Sequence, residues 1–313
     1  MASDALKPPA RIGVVGLGLM GVPMARNLLK AGFTLAVFDA NAQAVRDFCA
    51  GRPEVLAPPS LRELAGSCAA VVTMLPNGAI VREVVLDGQD NLAAGLARGA
   101  VVIDMSSSSP VGTRDLGARL AERAVALIDA PVSGGVKRAI DGSLAIMAGG
   151  DGGVIDRCEA LLSAMGQQIF RTGGLGTGHA MKALNNYVSA AGFAAAAEAV
   201  LAGTRFGLDP ATVVSVLNAS TGRNNSTENK FPQHVLTRKF AAGFSLGLMV
   251  KDLRTAIEVA RATGMPAPMA ETTLEQWARS EELLGAQADH TMMARYIEHL
   301  AGSTIADGEV GKP

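Results

Sequence analysis

The sequence predicts an α/β domain built on a mainly parallel sheet, followed by an all-helical domain, with a long helix joining the two. Three observations carry this expectation. Short apolar runs of strand length alternate with helical stretches through the first half of the 313-residue chain. That alternation stops near Gly173-Gly-Leu-Gly-Thr-Gly178. One helical stretch then runs from about His179 to Phe206, some 40 Å at about 1.5 Å per residue, long enough to bridge two domains. The expected division is 1–174 for the sheet domain and 175–313 for the helical one.

Taken in order, Arg11-Ile-Gly-Val-Val-Gly16 reads as a strand and Leu19 to Ala31 as a helix stopped by Gly32. Thr34-Leu-Ala-Val-Phe-Asp39 is a second strand, and Asn41 is placed to cap the next helix. Further strands are expected at 69–75, stopped by Pro76-Asn77-Gly78, and at 100–104, before a Ser-rich turn and a helix from about Pro110. Two more fall at 126–129 and 144–148. Continuous apolar strands alternating with helices imply a sheet covered on both faces. In the second half, helices are expected from Pro210, over Leu246–Ala262 and over Ala267–Ser280, with a loose tail after Gly302.

Composition excludes several classes. Hydrophobic residues make up 49% and charged residues 18%, which is not the profile of a disordered chain. A formal net charge of -1 suggests no nucleic-acid or anionic-membrane partner. Cys49, Cys68 and Cys158 are far apart and form no CxxC pair, so they read as reduced, buried thiols of a cytoplasmic protein. His179, His234, His290 and His299 lack ligand spacing, and no metal is expected. Met1 to Ala10 has no apolar stretch of the kind a signal peptide needs. The apolar run Tyr187–Ala197 falls well short of the roughly 20 residues that cross a bilayer and reads as a buried helix.

The chemistry starts at Gly16-Leu-Gly18-Leu19-Met20-Gly21, between the first strand and the first helix. That context makes it a dinucleotide-binding, Rossmann-type turn. The first glycine permits the turn, the second lets the backbone approach a pyrophosphate, and the third packs helix on sheet. Helix N-terminal N–H groups then face the phosphates. Asp39 ends the second strand, where a carboxylate accepts from ribose hydroxyls and repels a 2′-phosphate; Ala40-Asn41-Ala42 supplies no arginine to hold one. NAD is therefore favoured over NADP, the competing reading being a strand-end Asp that serves the next helix.

Gly16-Leu-Gly-Leu-Met-Gly-Val-Pro-Met-Ala-Arg-Asn-Leu-Leu-Lys-Ala-Gly32 resembles the opening of the β-hydroxyacid dehydrogenases, a group that includes 3-hydroxyisobutyrate dehydrogenase and tartronate semialdehyde reductase. Three further segments match in order: Asp129-Ala-Pro-Val-Ser-Gly-Gly135 is similar to the substrate-binding motif, Gly178-His-Ala-Met-Lys-Ala-Leu-Asn-Asn186 to the catalytic motif, and Lys251-Asp252 to the late cofactor-proximal motif. The resemblance spans about residues 11–300 and implies a dehydrogenase acting on a small hydroxy acid.

The residues agree with that implication. Lys182 and Asn186 share one helix face. A lysine ammonium can protonate the alkoxide formed as hydride reaches a carbonyl, and the neutral amine can take the hydroxyl proton in the reverse direction. Asn186 can hold the hydroxyl or the lysine. The competing reading is a surface lysine on a bridging helix. Ser133, Gly134 and Gly135 offer backbone N–H groups suited to a carboxylate, against a simple Gly-Gly turn. Leu75, Pro76 and Asn77, like Ser106 and Ser107, end strands at the carboxyl edge of the sheet. The resemblance implies that the former three lie near the adenosine ribose, Ser107 on the nicotinamide side, and Lys251 near the cofactor; Lys251 otherwise reads as a solvated helix charge.

The sequence departs from 3-hydroxyisobutyrate dehydrogenases at Ser220–Glu228, where Asn224 and Asn225 occupy the neighbourhood of a tryptophan. Amides suit hydroxyl or anionic groups, so a more polar substrate is expected, such as threonate, a tartronate-semialdehyde-type acid or a sulfonated analogue. The alternative is that these asparagines cap a turn. Two rival functions remain: an imine reductase, which usually lacks the catalytic lysine, and an inactive NAD(P)-binding scaffold. The Ala-rich helical domain, through which family members pair, implies a homodimer or homotetramer.

Overall fold

A computed structural model of the chain describes residues 5–305. The chain forms two compact units, one ending at Lys182 and the other starting at Ala183.

In the first unit β1 (Arg11–Val15), α1 (Gly21–Lys30), β2 (Thr34–Phe38), α2 (Ala42–Cys49), α3 (Leu61–Gly66), β3 (Ala70–Thr73), α4 (Gly78–Arg82), β4 (Val101–Asp104), α5 (Pro110–Ala121) and β5 (Ala126–Asp129) follow in order. Then come β6 (Val132–Ser133), α6 (Gly135–Asp141), β7 (Leu144–Gly149), α7 (Gly152–Met165) and β8 (Gly166–Gly173). The sheet order is β2-β1-β3-β4-β5-β7-β6, with β8 paired to β7. β1 to β5 are all parallel, as the apolar runs predict. The order reverses between β2-β1 and β3, which opens a crevice at the carboxyl ends of β1 and β3.

Strand alternation sends side chains to two cores. Ile12, Val14, Leu35, Val37 and Ile103 pack with Met24 and Leu28 of α1 and Leu161 and Leu162 of α7. Val15, Val71, Val102 and Leu127 pack with Leu61 and Leu64 of α3 and Leu116 and Leu120 of α5. Local side chains set the helix starts: Asn41 accepts from the Gln43 N–H as expected, Ser60 from Glu63, Ser109 from Gly112 and Asp151 from Val154.

The expectation missed two strands, β6 and β8. β7, expected over 144–148, runs antiparallel to β5 and β6. β8 begins Gly166-Gln-Gln and most of its side chains meet water, so it carries no apolar run to announce it.

The second unit holds α8 (Thr177–Arg205) from Ala183 onward, α9 (Pro210–Ala219), α10 (Leu246–Ala262), α11 (Pro268–Leu284) and α12 (Met293–Ala301). Between α9 and α10, Ser226–Val235 is π-helical and includes Pro232. A proline has no N–H for an i→i−4 ladder, and wider turns replace it here. The core centres on Phe193, whose ring lies 5.2 Å from Phe231 and 6.0 Å from Trp277. Among the described residues, α8 is by length and composition long and apolar enough to cross a membrane. Its residues Ala190, Phe193, Ala197 and Val200 lie in the helical core, whereas Val188 is 68% exposed. The expectation of a buried helix therefore holds for one face only.

Two other expectations change. Cys68 and Cys158 are buried, and burial pushes the Cys158 thiol up to about 12, but Cys49 is half-buried. The tail does not come loose directly after Gly302: Ile305 is buried and its N–H donates to Glu298 Oε1 at 2.8 Å. Residues 306–313 of that tail, and Met1–Asp4 of the leading stretch, lie outside the described residues.

His290 packs between Phe193 and Phe244, and burial, with repulsion from Lys230, brings its pKa down from 6.5 to about 4. Between those values the unfolded chain binds the proton and the folded chain does not, so stability is full above 6.5 and falls as the pH drops toward 4. At about 1.4 kcal/mol per pKa unit the loss is on the order of 3 kcal/mol. Urea titrations from pH 7 to 4 are expected to show this slope and to show it flattened in His290→Leu; parallel slopes in the two proteins would contradict the assignment.

Candidate active site

The glycine turn is built by close approach. Gly16 has φ +102, and a Cβ there would lie 2.2 Å from the Met74 carbonyl oxygen. A Cβ on Gly21 would lie 1.9 Å from the Gly16 carbonyl oxygen. Gly18 differs: it is exposed, and a Cβ there would meet nothing within 4 Å. Leu19 beside it is 79% exposed. Met20, at the N-cap of α1, makes no side-chain cap. A bare turn, an open face at the second glycine and an uncapped helix start together fit a dinucleotide pyrophosphate.

Asp39 follows β2. Its Oδ2 accepts the Leu17 N–H at 2.7 Å and its Oδ1 accepts the Asn41 N–H at 2.7 Å. The carboxylate thus ties the glycine turn to the end of β2, while Asn41 does the helix capping. Leu75 and Pro76 follow β3; the Leu75 N–H donates to Ser106 Oγ at 2.9 Å. Asn77 has a local task, since its Oδ1 caps α4 through the Ile80 N–H. Ser107 is half-buried after β4, whereas Ser106 is buried and spent on internal bonds. All these groups end strands at the carboxyl edge of the sheet.

Past β5 the chain forms the short strand β6, in which Ser133 pairs with Ala145. Gly134 and Gly135 have φ +130 and +66, so their N–H groups turn as no L-residue allows cheaply. Both glycines are exposed. Asp129 precedes this loop and is fully buried. Its Oδ1 accepts the Gly176 N–H at 2.7 Å and its Oδ2 the His179 N–H at 2.8 Å. It therefore holds the N-terminus of α8, whose partial positive charge favours it. Burial nevertheless pushes its carboxyl above the ordinary value, opposed by attraction to His179 and by these N–H groups. Lys182, half-buried, is carried on the next turn of α8.

In the second unit Asn186 is buried. Its Nδ2 donates to Asp252 Oδ2 at 2.5 Å, and its Oδ1 accepts from Asn185 Nδ2 at 3.1 Å. The other oxygen of Asp252 lies 3.3 Å from Lys251 Nζ. Asp252 thus sets both Asn186 and Lys251. Asn224 caps: its Oδ1 accepts the N–H groups of Ser226 and Thr227 at 2.8 and 3.1 Å. For Asn224 the turn-capping alternative is the one observed. Asn225 is exposed and makes no side-chain cap.

Sequence reasoning missed the partners behind these groups. Asp129 was legible only as the first letter of a motif, His179 only as a histidine without metal spacing, and Asp104 only as a strand end. The available signal was two aspartates closing neighbouring strands and a histidine one turn before Lys182. No group of three His, Cys, Asp or Glu side chains that could hold a metal ion occurs among the described residues.

A parallel sheet with a bare glycine turn, joined to a helix carrying a lysine and a fixed asparagine, defines a nicotinamide-dependent oxidoreductase. Residues 11–174 match the NAD binding domain of 6-phosphogluconate dehydrogenase, and 176–297 the NAD-binding region of NADP-dependent 3-hydroxyisobutyrate dehydrogenase. The chain belongs to the β-hydroxyacid dehydrogenase family. It is 34% identical to 2-(hydroxymethyl)glutarate dehydrogenase of Eubacterium barkeri, over 96% of this chain and 98% of that one. It is 34% identical to 3-sulfolactaldehyde reductase of Escherichia coli, over 94% and 98%. The structure of Mycobacterium tuberculosis 3-hydroxyisobutyrate dehydrogenase with L-serine aligns with TM-score 0.84 at 32% identity, covering 93% of this chain and 99% of that one. Imine reductases lie further off: that of Streptomyces aurantiacus, at 18% identity and TM-score 0.60, shares the fold alone.

The glycines separate folding from binding. Gly18→Ala is expected to keep the parent melting temperature within a few degrees yet weaken coenzyme binding about ten-fold or more, since its Cβ fills open space against the phosphates. Gly21→Ala is expected to destabilise the fold by more than about 1 kcal/mol, because its Cβ overlaps backbone. Calorimetry and fluorescence titration read both; equal coenzyme affinity in Gly18→Ala would place the phosphates elsewhere.

Proposed function

We propose that the protein catalyses the reversible NAD-dependent oxidation of the 3-hydroxyl of a small polar hydroxy acid, with Lys182 as general acid and base. The observation that carries this reading is the face of α8 on which Lys182 stands one turn before Asn186, with Asn186 locked by Asp252. A nicotinamide coenzyme held at the glycine turn would supply the chemistry of hydride transfer, accepting from the carbinol carbon in oxidation and donating to the carbonyl carbon in reduction. Lys182 Nζ takes the hydroxyl proton in oxidation and gives a proton to the carbonyl oxygen in reduction. Asn186 has an Nδ2 hydrogen beyond the one held by Asp252, and it orients the substrate oxygen or the lysine. Ser133, Gly134 and Gly135 receive the carboxylate through the N–H groups of a loop that carries two positive-φ glycines.

The cofactor residues are Gly16, Gly18, Leu19, Met20 and Gly21 at the pyrophosphate, Asp39 at the adenosine ribose, Leu75, Pro76, Asn77 and Ser107 along the strand ends, and Lys251 from the helical unit. Asp39 supports NAD over NADP. Its carboxylate is fixed by two backbone N–H groups and would repel a 2′-phosphate. Asn225, exposed at the start of the π-helical segment, supports a substrate more polar than hydroxyisobutyrate. The relatives' substrates, a hydroxymethyl dicarboxylic acid and a sulfonated aldehyde, support the same class. A cytoplasmic location fits this chemistry.

Lys182→Ala is expected to lower kcat by about a hundred- to ten-thousand-fold while leaving NAD affinity unchanged. The parent enzyme, assayed with NAD and NADP against threonate, 2-(hydroxymethyl)glutarate, a sulfonated 3-hydroxy acid and 3-hydroxyisobutyrate, is expected to favour NAD and one of the polar acids in kcat/KM. Full turnover in Lys182→Ala removes the lysine from the reaction, and a preference for hydroxyisobutyrate removes the polar-substrate reading.

The helical unit exposes Val188, Phe206, Leu208 and Val216. This apolar surface supports a homodimer or homotetramer. Sedimentation equilibrium reporting a monomer at micromolar concentration would overturn that assignment.

A further inference from the structure

The polar cluster behind the start of α8 has no part in the reaction as described. The His179 ring has no exposed surface and lies between two aspartates that close adjacent strands. Its Nε2 is 3.5 Å from Asp104 Oδ2, and its Nδ1 is 3.8 Å from Asp129 Oδ2. Thr113 Oγ1, on α5, is 2.9 Å from Nδ1. That hydroxyl spends its hydrogen on the Ser109 carbonyl at 2.9 Å, so it accepts, and Nδ1–H is the donor.

Both carboxylates are themselves immobilised. Asp104 accepts from Thr73 Oγ1 and the Ser106 N–H through Oδ1, and from Ser108 Oγ through Oδ2. Asp129 takes the N–H groups of Gly176 and of His179 itself. Main chain and side chain of His179 are thus held from two other elements, β5 through Asp129 and α5 through Thr113, while Nε2 faces Asp104 at the end of β4 without a hydrogen-bond partner. There is no slack: a Cβ on Gly178 would lie 2.2 Å from the Met147 carbonyl oxygen, and one on Gly149 2.6 Å from Asp129 Oδ1.

Stability alone gives little reason for such a cluster. Buried carboxylates and an imidazole lose hydration, and apolar side chains of similar volume often serve a core as well or better. What the cluster does provide is a fixed rotation and depth for the first turn of α8. Lys182 is three residues after His179, on the neighbouring position of the same helix side. We propose that His179, its ring held by Thr113 and its backbone N–H by Asp129, is a positioning residue that sets the Lys182 ammonium for proton transfer. Asp129 also begins the segment that leads to Ser133-Gly134-Gly135, so the same clamp couples the acid-binding loop to the lysine. The inference rests on the reading of Lys182 as general acid and base.

The test compares His179→Leu, His179→Gln and Thr113→Val with the parent and with Lys182→Ala. His179→Leu is expected to lose about ten- to a hundred-fold in kcat, the scale of a lost orienting partner, and Thr113→Val several-fold. KM for the hydroxy acid and the dissociation constant of NAD are expected to stay within about two-fold in both, and His179→Gln to recover most of the turnover through its amide. A purely structural residue would lower the melting temperature without splitting kcat from KM. Should His179→Leu fail to fold, Thr113→Val carries the test, since it removes one hydroxyl and its two hydrogen bonds, to His179 Nδ1 and to the Ser109 carbonyl, in a near-isosteric change. Parent-like kcat in Thr113→Val or in folded His179→Leu, coenzyme affinity lost in step with kcat, or no rescue by glutamine overturns the proposal. If Lys182→Ala keeps its turnover, the reading of the lysine fails instead, which separates the two failures.

Discussion

The grip of the Asp129 carboxylate on the N-terminus of α8 is the constraint from which the first unit's chemistry hangs. It brings the end of β5, the start of a 29-residue helix and the loop through Ser133 to one point. A buried carboxylate is costly when alone, and here two N–H groups and the positive end of a helix offset that cost. Burial still leaves the carboxyl above its ordinary value, because desolvation outweighs the attraction to His179 and the N–H groups. The same point excludes side chains at Gly149 and Gly178, so the sequence there answers to backbone contact rather than to conformational freedom.

A comparable economy governs the nucleotide end. Gly16 and Gly21 are required by overlap with backbone atoms, whereas Gly18 is bare on an open side. Folding explains the first two glycines and leaves the middle one to ligand binding. Asp39 joins the two demands, since its carboxylate fastens the turn to β2 and presents charge where a ribose would lie. In the helical unit Asp252 plays the corresponding part, with one oxygen on Asn186 and the other beside Lys251. Three aspartates thus fix the groups that we assign to coenzyme and substrate.

How much of this could be read in the sequence follows from range. The glycine turn, Asp39, the helix carrying Lys182 and Asn186, and most helices of the second unit are written in stretches of a few residues, where periodicity and caps act locally. β8 escaped because a half-exposed edge strand has no apolar run, and Ser226–Val235 because Pro232 argues against the helix that forms there. Asn224 shows the limit of motif reasoning: its amide is consumed by the N–H groups of Ser226 and Thr227, while its neighbour Asn225 is left exposed.

The sequence by itself therefore determined the two-part architecture, the dinucleotide turn, the family and the helix on which Lys182 and Asn186 stand, because each is set by neighbours along the chain. Only the tertiary structure decided what holds them. Asp104, Thr113, Asp129 and His179 are dispersed along the chain and meet only when β4 and β5 lie side by side and α5 and α8 close over their ends. Buried polar groups must find partners, and which partner each finds depends on packing geometry that no local pattern encodes.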